Sequence, residues 1–234
     1  MKLFTIFDLD GVLVDNIAYE RAVTEHIVRA ISFSRMLSFE EALSLWNKTL
    51  AAHAQDPRWH DYSVHCAALG VPDVWQSSHR DMGHLIRQMP RAAEAMAIAH
   101  LAGSCWLASD ATSWVALFKL HAAGFDLQEF EEIFTLDRCG VGKGHPGFWA
   151  CLAGCIGDSN AATIYVDNRL DRLIAATSIL PNCRMVHIAA EDHPSSLGLF
   201  PEPVLSEQMH VCRVTHERLP EALQSIAREL KAMK

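Results

Sequence analysis

The sequence predicts an α/β fold in which a mainly parallel sheet is covered by helices on both faces and interrupted by a long helical insert. Three observations carry this. Short apolar runs alternate with amphipathic stretches along most of the chain. Several of those runs stop abruptly at Asp or Ser, and no convincing strand occurs between residues 16 and 90. In sheets of this kind the chemistry lies at the carboxyl ends of the strands, where these polar residues collect.

The first run, Leu3 to Phe7, is a buried strand ending in Asp8-Leu9-Asp10-Gly11, with Gly11 permitting a sharp exit. Residues 17 to 31 then carry Ile17, Val23, Ile27 and Ile31 among charged neighbours, and residues 39 to 52 repeat the pattern behind a Ser38/Glu41 capping box. A turn at Asp56-Pro57, a helix over 60 to 69 closed by Gly70, and a passage from Trp75 to Met89 closed by Pro90 complete the insert. Alternation then resumes. Helices are expected over 91 to 102, 112 to 122, 146 to 155, 171 to 176 and 219 to 232. Strands are expected at 105 to 108, 133 to 134, 164 to 166, 185 to 188 and 209 to 214. A Gly-rich loop spans 139 to 144, and a Pro/Ser-rich loop spans 193 to 206.

Composition narrows the function. The chain has 234 residues, half of them hydrophobic, and a formal charge of -8. That balance is wrong for a nucleic-acid polymer, whose backbone attracts basic surfaces. The apolar run at the N-terminus is too short for a signal peptide or a membrane span, so a cytoplasmic location is expected. The seven scattered cysteines lack a framework spacing and are expected as free thiols, with Cys151 and Cys155 as buried filler. His60, His65 and Cys66 lie close together but form no complete zinc set.

Asp8 and Asp10 follow one strand, Ser109 a second and Asp167 a third. Residues two apart on an extended chain share a side, so Asp8 and Asp10 crowd like charges that a divalent cation relieves. Asp167 from a neighbouring strand completes an oxygen-rich set of the kind magnesium prefers.

These residues carry a resemblance. Phe7-Asp8-Leu9-Asp10-Gly11-Val12-Leu13-Val14-Asp15 resembles the first motif of the haloacid dehalogenase-like hydrolase superfamily. Ser109, after Cys105-Trp106-Leu107-Ala108, is similar to its second motif. Lys143, within Cys139-Gly140-Val141-Gly142-Lys143-Gly144-His145-Pro146, is similar to its third, and Asp167 with Asp171 to its acidic fourth. The resemblance covers residues 3 to about 188. It implies a Rossmann-like three-layer α/β/α core at 1–15 and 91–234, with a helical cap at 16–90.

The activity implied is that of a Mg2+-dependent phosphatase acting on a small phosphorylated metabolite. Asp8 would be the nucleophile, Asp10 the general acid and base, Ser109 a phosphate ligand and Lys143 the charge partner. Asp8, Asp10 (through its carbonyl) and Asp167 would hold Mg2+. Asp110, Asn168 and Asp171 are weaker candidates for substrate or supporting contacts; Asp171 and Asp15 also suit helix caps. Asp10 disfavours dehalogenation, since a departing halide needs no proton. A phosphomutase of the β-phosphoglucomutase type and a non-catalytic binding descendant remain as alternatives; phosphonate cleavage would need a cap lysine, and the one present, Lys48, has no helpful context.

Two features depart from the usual pattern. Gly144-His145-Pro146 replaces the Pro-Asp-Pro of many relatives, leaving His145 to shape the loop or meet substrate. The stretch 191–208 is unusually long and could border the site or a dimer contact; monomer and homodimer both remain open. Substrate contacts from the cap are sought among Tyr19, Arg21, His53, Arg58, His60 and Arg87, with an apolar wall from Trp46, Trp59 and Trp75.

Overall fold

A computed structural model describes residues 2–54, 56–157, 160–180, 182–189 and 211–232. Strand β1 (Leu3–Phe7) sits near the centre of a six-stranded sheet with β4 (Ser104–Ala108), β5 (Glu132–Phe134), β6 (Ala162–Asp167), β7 (Cys183–Ile188) and β8 (Val211–Val214). The strand order is β5-β4-β1-β6-β7-β8, and each neighbouring pair is parallel. β1 and β4 are buried along their whole length, as strands covered on both faces must be.

Two apolar clusters lie on opposite faces of the sheet. On one, Leu3, Phe7, Leu107 and Val166 meet α5 (Ala92–Ala102), α6 (Ser113–Ala122) and α10 (Leu219–Ala232), and the cluster runs on into the insert through Val23 and Ile27. On the other, Phe4, Ile6, Trp106 and Tyr165 meet α8 (Pro146–Ile156) and α9 (Leu170–Thr177). The alternation of side chains along β1 divides it between these layers.

The insert contains α1 (Ile17–Arg35), α2 (Phe39–Ala52), α3 (Tyr62–Ala68) and α4 (Val74–Met82). The Ser38/Glu41 capping box starts α2 as expected. α1 runs four residues beyond its expected end, because Ser32 and Phe33 carbonyls accept the N–H groups of a left-handed Met36 and of Leu37. The expectation that the insert has no strand is corrected. β3 (Arg87–Gln88) pairs antiparallel with β2 (Val14–Asp15), so a two-stranded ribbon clasps the ends of the insert where the chain leaves and re-enters the sheet. Neither piece has enough apolar alternation to be visible alone. A short helix α7 (Leu136–Cys139) also precedes the Gly-rich loop.

Cys155 is exposed and Cys151 partly so, which corrects their reading as buried filler, and all seven cysteines are free. The loop at 193–206 and the wider stretch 191–208 lie outside the described residues. Among the described residues no helix is long and apolar enough to cross a membrane.

Candidate active site

Strand register places the acidic residues together. Phe7 pairs with Leu107 on β4 and with Val166 on β6, so Asp8 emerges level with Asp167 and one residue short of Ser109. Asp8 N–H donates to the Val166 carbonyl at 2.9 Å, continuing the ladder past the end of β1. The chain then turns within six residues. Gly11 takes φ 76°, its N–H donates to the Val14 carbonyl, and the N–H groups of Leu13 and Val14 both donate to Leu9.

Lys143 joins the two strand-end carboxylates. Its Nζ lies 2.5 Å from Asp8 Oδ1 and 2.8 Å from Asp167 Oδ2, and all three side chains are buried. The lysine is fixed at every backbone polar group as well. Its N–H donates to Asp110 Oδ1 at 2.6 Å and its carbonyl accepts from Trp149 Nε1 at 2.7 Å. Gly142 is needed beside it, since a Cβ there would stand 2.7 Å from Asp110 Oδ1. Asp110 thus orients the lysine loop.

Asp167 is satisfied twice more: Tyr165 O–H donates to its Oδ2, and Arg169 N–H donates to its Oδ1 at 2.8 Å. Burial and the neighbouring negative charge of Asp167 push Asp8 well above the usual carboxylate range, against the pull of Lys143. Burial would lower the Lys143 pKa, but the two carboxylates hold it raised.

Asp10 faces a different partner. Both of its carboxylate oxygens accept from Lys119 Nζ at 2.9 Å, and the same ammonium lies 2.5 Å from Glu20 Oε1. Tyr62 O–H donates to the other Glu20 oxygen. Lys119 on α6 belongs to the core, whereas Glu20 on α1 and Tyr62 on α3 belong to the insert, so one hydrogen-bonded chain crosses the joint. Burial raises the Asp10 pKa, and Glu20 adds to the rise, while Lys119 opposes it. Burial works against ionised Glu20, yet Lys119 and Tyr62 hold it at about 2.

Lys119 and Glu20 were not among the expected site residues, but a signal for both exists. Lys119 shares a helix face with buried Val115 and Ala116, and Glu20 with buried Val23 and Ile27. A charge on an apolar stripe is the mark.

The remaining candidates separate cleanly. A cavity of about 290 Å³ is lined by Asp8, Asp10, Asp110, Lys143 and Asn168 from the core, and by Trp46, Trp59 and His60 from the insert. Ser109 and Asp167 are buried and do not line it. Ser109 Oγ accepts the Ala111 N–H at 3.1 Å, which leaves its own O–H as a donor.

Asp171 lies inside α9 rather than capping it, and pairs with Arg169 at 2.8 Å. Asp15 accepts the Ile17 N–H at 3.3 Å, one residue before the N-cap Asn16. His145 caps α8 by accepting the Gly147 N–H and is exposed. Of the six polar cap residues considered as candidates, each more readily ordinary surface than a substrate contact, His60 alone lines the cavity. Tyr19 is buried against His79, His53 binds the Thr49 carbonyl, Arg58 pairs with Asp61, Arg21 is exposed, and Arg87 binds its own turn through the His84 and Ile86 carbonyls. Trp75 packs on Trp114 instead of lining the wall.

The donor set suits a hard divalent cation. Two buried carboxyl groups share a single ammonium, and their donor atoms are all oxygen; a divalent cation would relieve the crowding that raises Asp8. No cluster of three His, Cys, Asp or Glu side chains poised for a metal occurs among the described residues. A third protein ligand would have to come from backbone or from Asn168.

No family model matches the chain, and no curated protein matches it in sequence. Solved structures do match. A HAD phosphatase from Thermococcus onnurineus superposes with a TM-score of 0.77 at 16% identity, over 95% of this chain and 98% of that one. The magnesium-bound HAD-hydrolase YfnB of Bacillus subtilis gives 0.60 at 14% identity, over 95% and 98%. The L-2-haloacid dehalogenase of Xanthobacter autotrophicus with chloropropionic acid covalently bound gives 0.60 at 16%, over the whole of both chains. The chain therefore has the fold of the haloacid dehalogenase-like hydrolases, a fold that serves more than one reaction.

Proposed function

We propose that this protein is a Mg2+-dependent phosphatase that cleaves a small phosphate monoester through an aspartyl-phosphate on Asp8. The observation that carries the reading is the convergence of Asp8, Asp167 and Lys143 at the strand ends, with Asp10 on the wall of the same cavity. Asp10 separates this reading from halide displacement. An alkoxide leaving group must take a proton and a halide need not, and the position of the Asp10 carboxyl on the cavity wall supports its reading as the source of that proton.

In this scheme Asp8 attacks phosphorus as the ester P–O bond breaks, and the departing oxygen takes its proton from Asp10. Asp10 then removes a proton from the water that attacks the acyl phosphate, which restores both carboxyl groups. Lys119 keeps the Asp10 carboxyl aimed by its paired 2.9 Å contacts. Lys143 offsets charge on Asp8 and on the transferring group, and Ser109 O–H is a donor for a phosphoryl oxygen. Asp8 and Asp167, with the Asp10 carbonyl, would hold Mg2+, which supplies charge neutralisation between two anions and orients the phosphoryl group. Residues 1–15 and 91–234 act as the catalytic core, with 16–90 as a cap over it.

The test is phosphate release from a panel of small esters with and without magnesium, with Asp8→Asn beside the parent protein. Release that depends on both the metal and Asp8 supports the reading. Release that survives Asp8→Asn, or its absence from every ester, sinks it.

A further inference from the structure

The stretch of cavity wall contributed by α2, α3 and the loop between them is mainly aromatic and apolar, beside Asn16, Glu20 and Thr24 at the start of the insert, which also line the cavity. Trp46 and Leu50 come from α2, Trp59 from the following loop, and Tyr62 and His65 from α3. Trp46 stacks on Tyr62 with ring planes 19° apart, and His65 meets the Trp46 edge at 5.9 Å, so the aromatic rings brace one another. The polar atoms on this wall are largely committed. Trp59 Nε1 donates to the Leu50 carbonyl at 3.0 Å, Tyr62 O–H donates to Glu20, and His65 Nε2 donates to the Trp59 carbonyl at 2.6 Å. His65 is 2% exposed and its Nδ1 has no partner among the described residues, leaving one buried acceptor in an otherwise apolar surface.

Charge points the same way. The cations that line the cavity already face carboxylates: Lys119 meets Asp10 and Glu20, Lys143 meets Asp8 and Asp167, and Arg169 meets Asp171. His60 stands 3.8 Å from Asp110 yet is held neutral near pH 7 by burial, which outweighs that carboxylate. Among the described residues that line the cavity, the insert therefore offers no positive charge to a second anionic group on the substrate, and a carboxylate or second phosphate seated there would lie against indole and near Glu20.

We propose that the cavity takes phosphate monoesters whose leaving alcohol carries an uncharged, flat apolar group, seated against Trp46, Leu50 and Trp59. The word ester rests on the phosphatase reading above; the apolar group rests on the wall alone. A cavity of about 290 Å³ accommodates a single aromatic ring on a short alkyl chain.

The experiment separates the two. Calorimetric binding of 3-phenylpropyl phosphonate, propyl phosphonate and 3-carboxypropyl phosphonate in magnesium buffer reads the wall without turnover. Phosphate release from the matching alkyl esters, whose leaving groups differ little in acidity, reads the chemistry. The phenyl compound is expected to bind at least about tenfold more tightly than the propyl one, and the carboxylate no more tightly than the propyl. Trp59→Ala should remove most of the phenyl advantage while propyl phosphonate binding, the internal control for folding, stays within about twofold.

Equal binding of phenyl and propyl compounds, preference for the carboxylate, or no binding of any phosphonate overturns the inference. If the carboxylate ester is turned over best, the inference falls and the phosphatase reading stands. If the phenyl phosphonate binds best but no ester is cleaved, the phosphatase reading falls and recognition of an apolar group stands.

Discussion

Two buried lysines line the cavity, and their surroundings are built from different material. Lys143 draws its carboxylates from adjacent strands of one sheet, and both of them, Asp8 and Asp167, are almost fully enclosed. Lys119 draws Asp10 from the turn after β1 and Glu20 from the insert, and those side chains are 30% and 29% exposed. The first cluster is fixed by strand register, which cannot shift without dismantling the sheet. The second spans a joint between two packed bodies and depends on how they sit together. The site thus pairs a rigid half with a half that senses the insert.

The sharpest way to break this comparison is at Asp8, the proposed nucleophile. Asp8→Asn is nearly isosteric and leaves Lys143 its bond to Asp167, so phosphate release should fall by at least roughly 10⁴-fold while the thermal midpoint stays close to that of the parent. A loss of fold in parallel with activity would show that Asp8 is chiefly structural. Replacing the lysines tests the two halves directly. Lys143→Met strands two enclosed carboxylates and should lower stability in urea by about 3–5 kcal/mol. Lys119→Met strands carboxylates that water already reaches, so about 1–2 kcal/mol is expected. The same variant should lower kcat by roughly 10- to 100-fold with KM little changed, because Asp10 loses its aim rather than the substrate its seat. Equal stability losses would erase the distinction between the clusters.

How each half could be read from sequence follows from the same contrast. Asp8, Ser109 and Asp167 each end a local apolar run, so a window of a few residues finds the strand and its exit, and the order of elements along the chain places the exits side by side. The capping box of α2 and the helices at 92–102 and 219–232 were legible for the same reason. The Lys119–Glu20–Tyr62 chain joins residues of three helices widely separated in sequence, and nothing local marks their meeting. The β2–β3 ribbon was missed likewise, since two residues on each side acquire strand geometry only from each other. The six polar residues of the insert named as candidate contacts each read more readily as ordinary surface, and five of them do spend their polar atoms within the insert or point to solvent.

Acid should loosen the insert before the core. Burial outweighs the attraction of Glu20 and holds His79 neutral down to about 4, against an ordinary value of 6.5. As pH falls between these values the unfolded chain takes up a proton that the fold refuses, so stability declines, by about 3 kcal/mol in all from this group. Glu20 follows. Its carboxylate titrates at about 2 when folded and near 4.5 when not, so its contribution is present above 4.5 and is lost as pH falls towards 2. Asp8 and Asp10, with raised values, act with the opposite sign over the same range, so the test is the difference between proteins: the urea midpoint of His79→Phe should fall less, or rise more, than that of the parent from pH 7 to pH 4. Parallel profiles in the two proteins would contradict the burial of His79 and the joint it helps to pack.

The smallest effect is expected where the sequence suggested a function and the structure gives a surface pair. Asp171 was a candidate for support of the acidic strand end, yet its carboxylate meets Arg169 at 2.8 Å and Arg172 at 3.7 Å and is 43% exposed. It sits in the first turn of α9, where a negative charge is mildly favourable to the helix dipole. Asp171→Asn should therefore change stability by no more than about 0.5 kcal/mol and leave the magnesium dependence of turnover where it was. A marked rise in the magnesium concentration needed for half-maximal activity would instead link Asp171 to the metal through Arg169, whose N–H already holds Asp167 at 2.8 Å. That outcome would extend the rigid half of the site one shell further from the sheet, past the strand ends and into the helix that follows them.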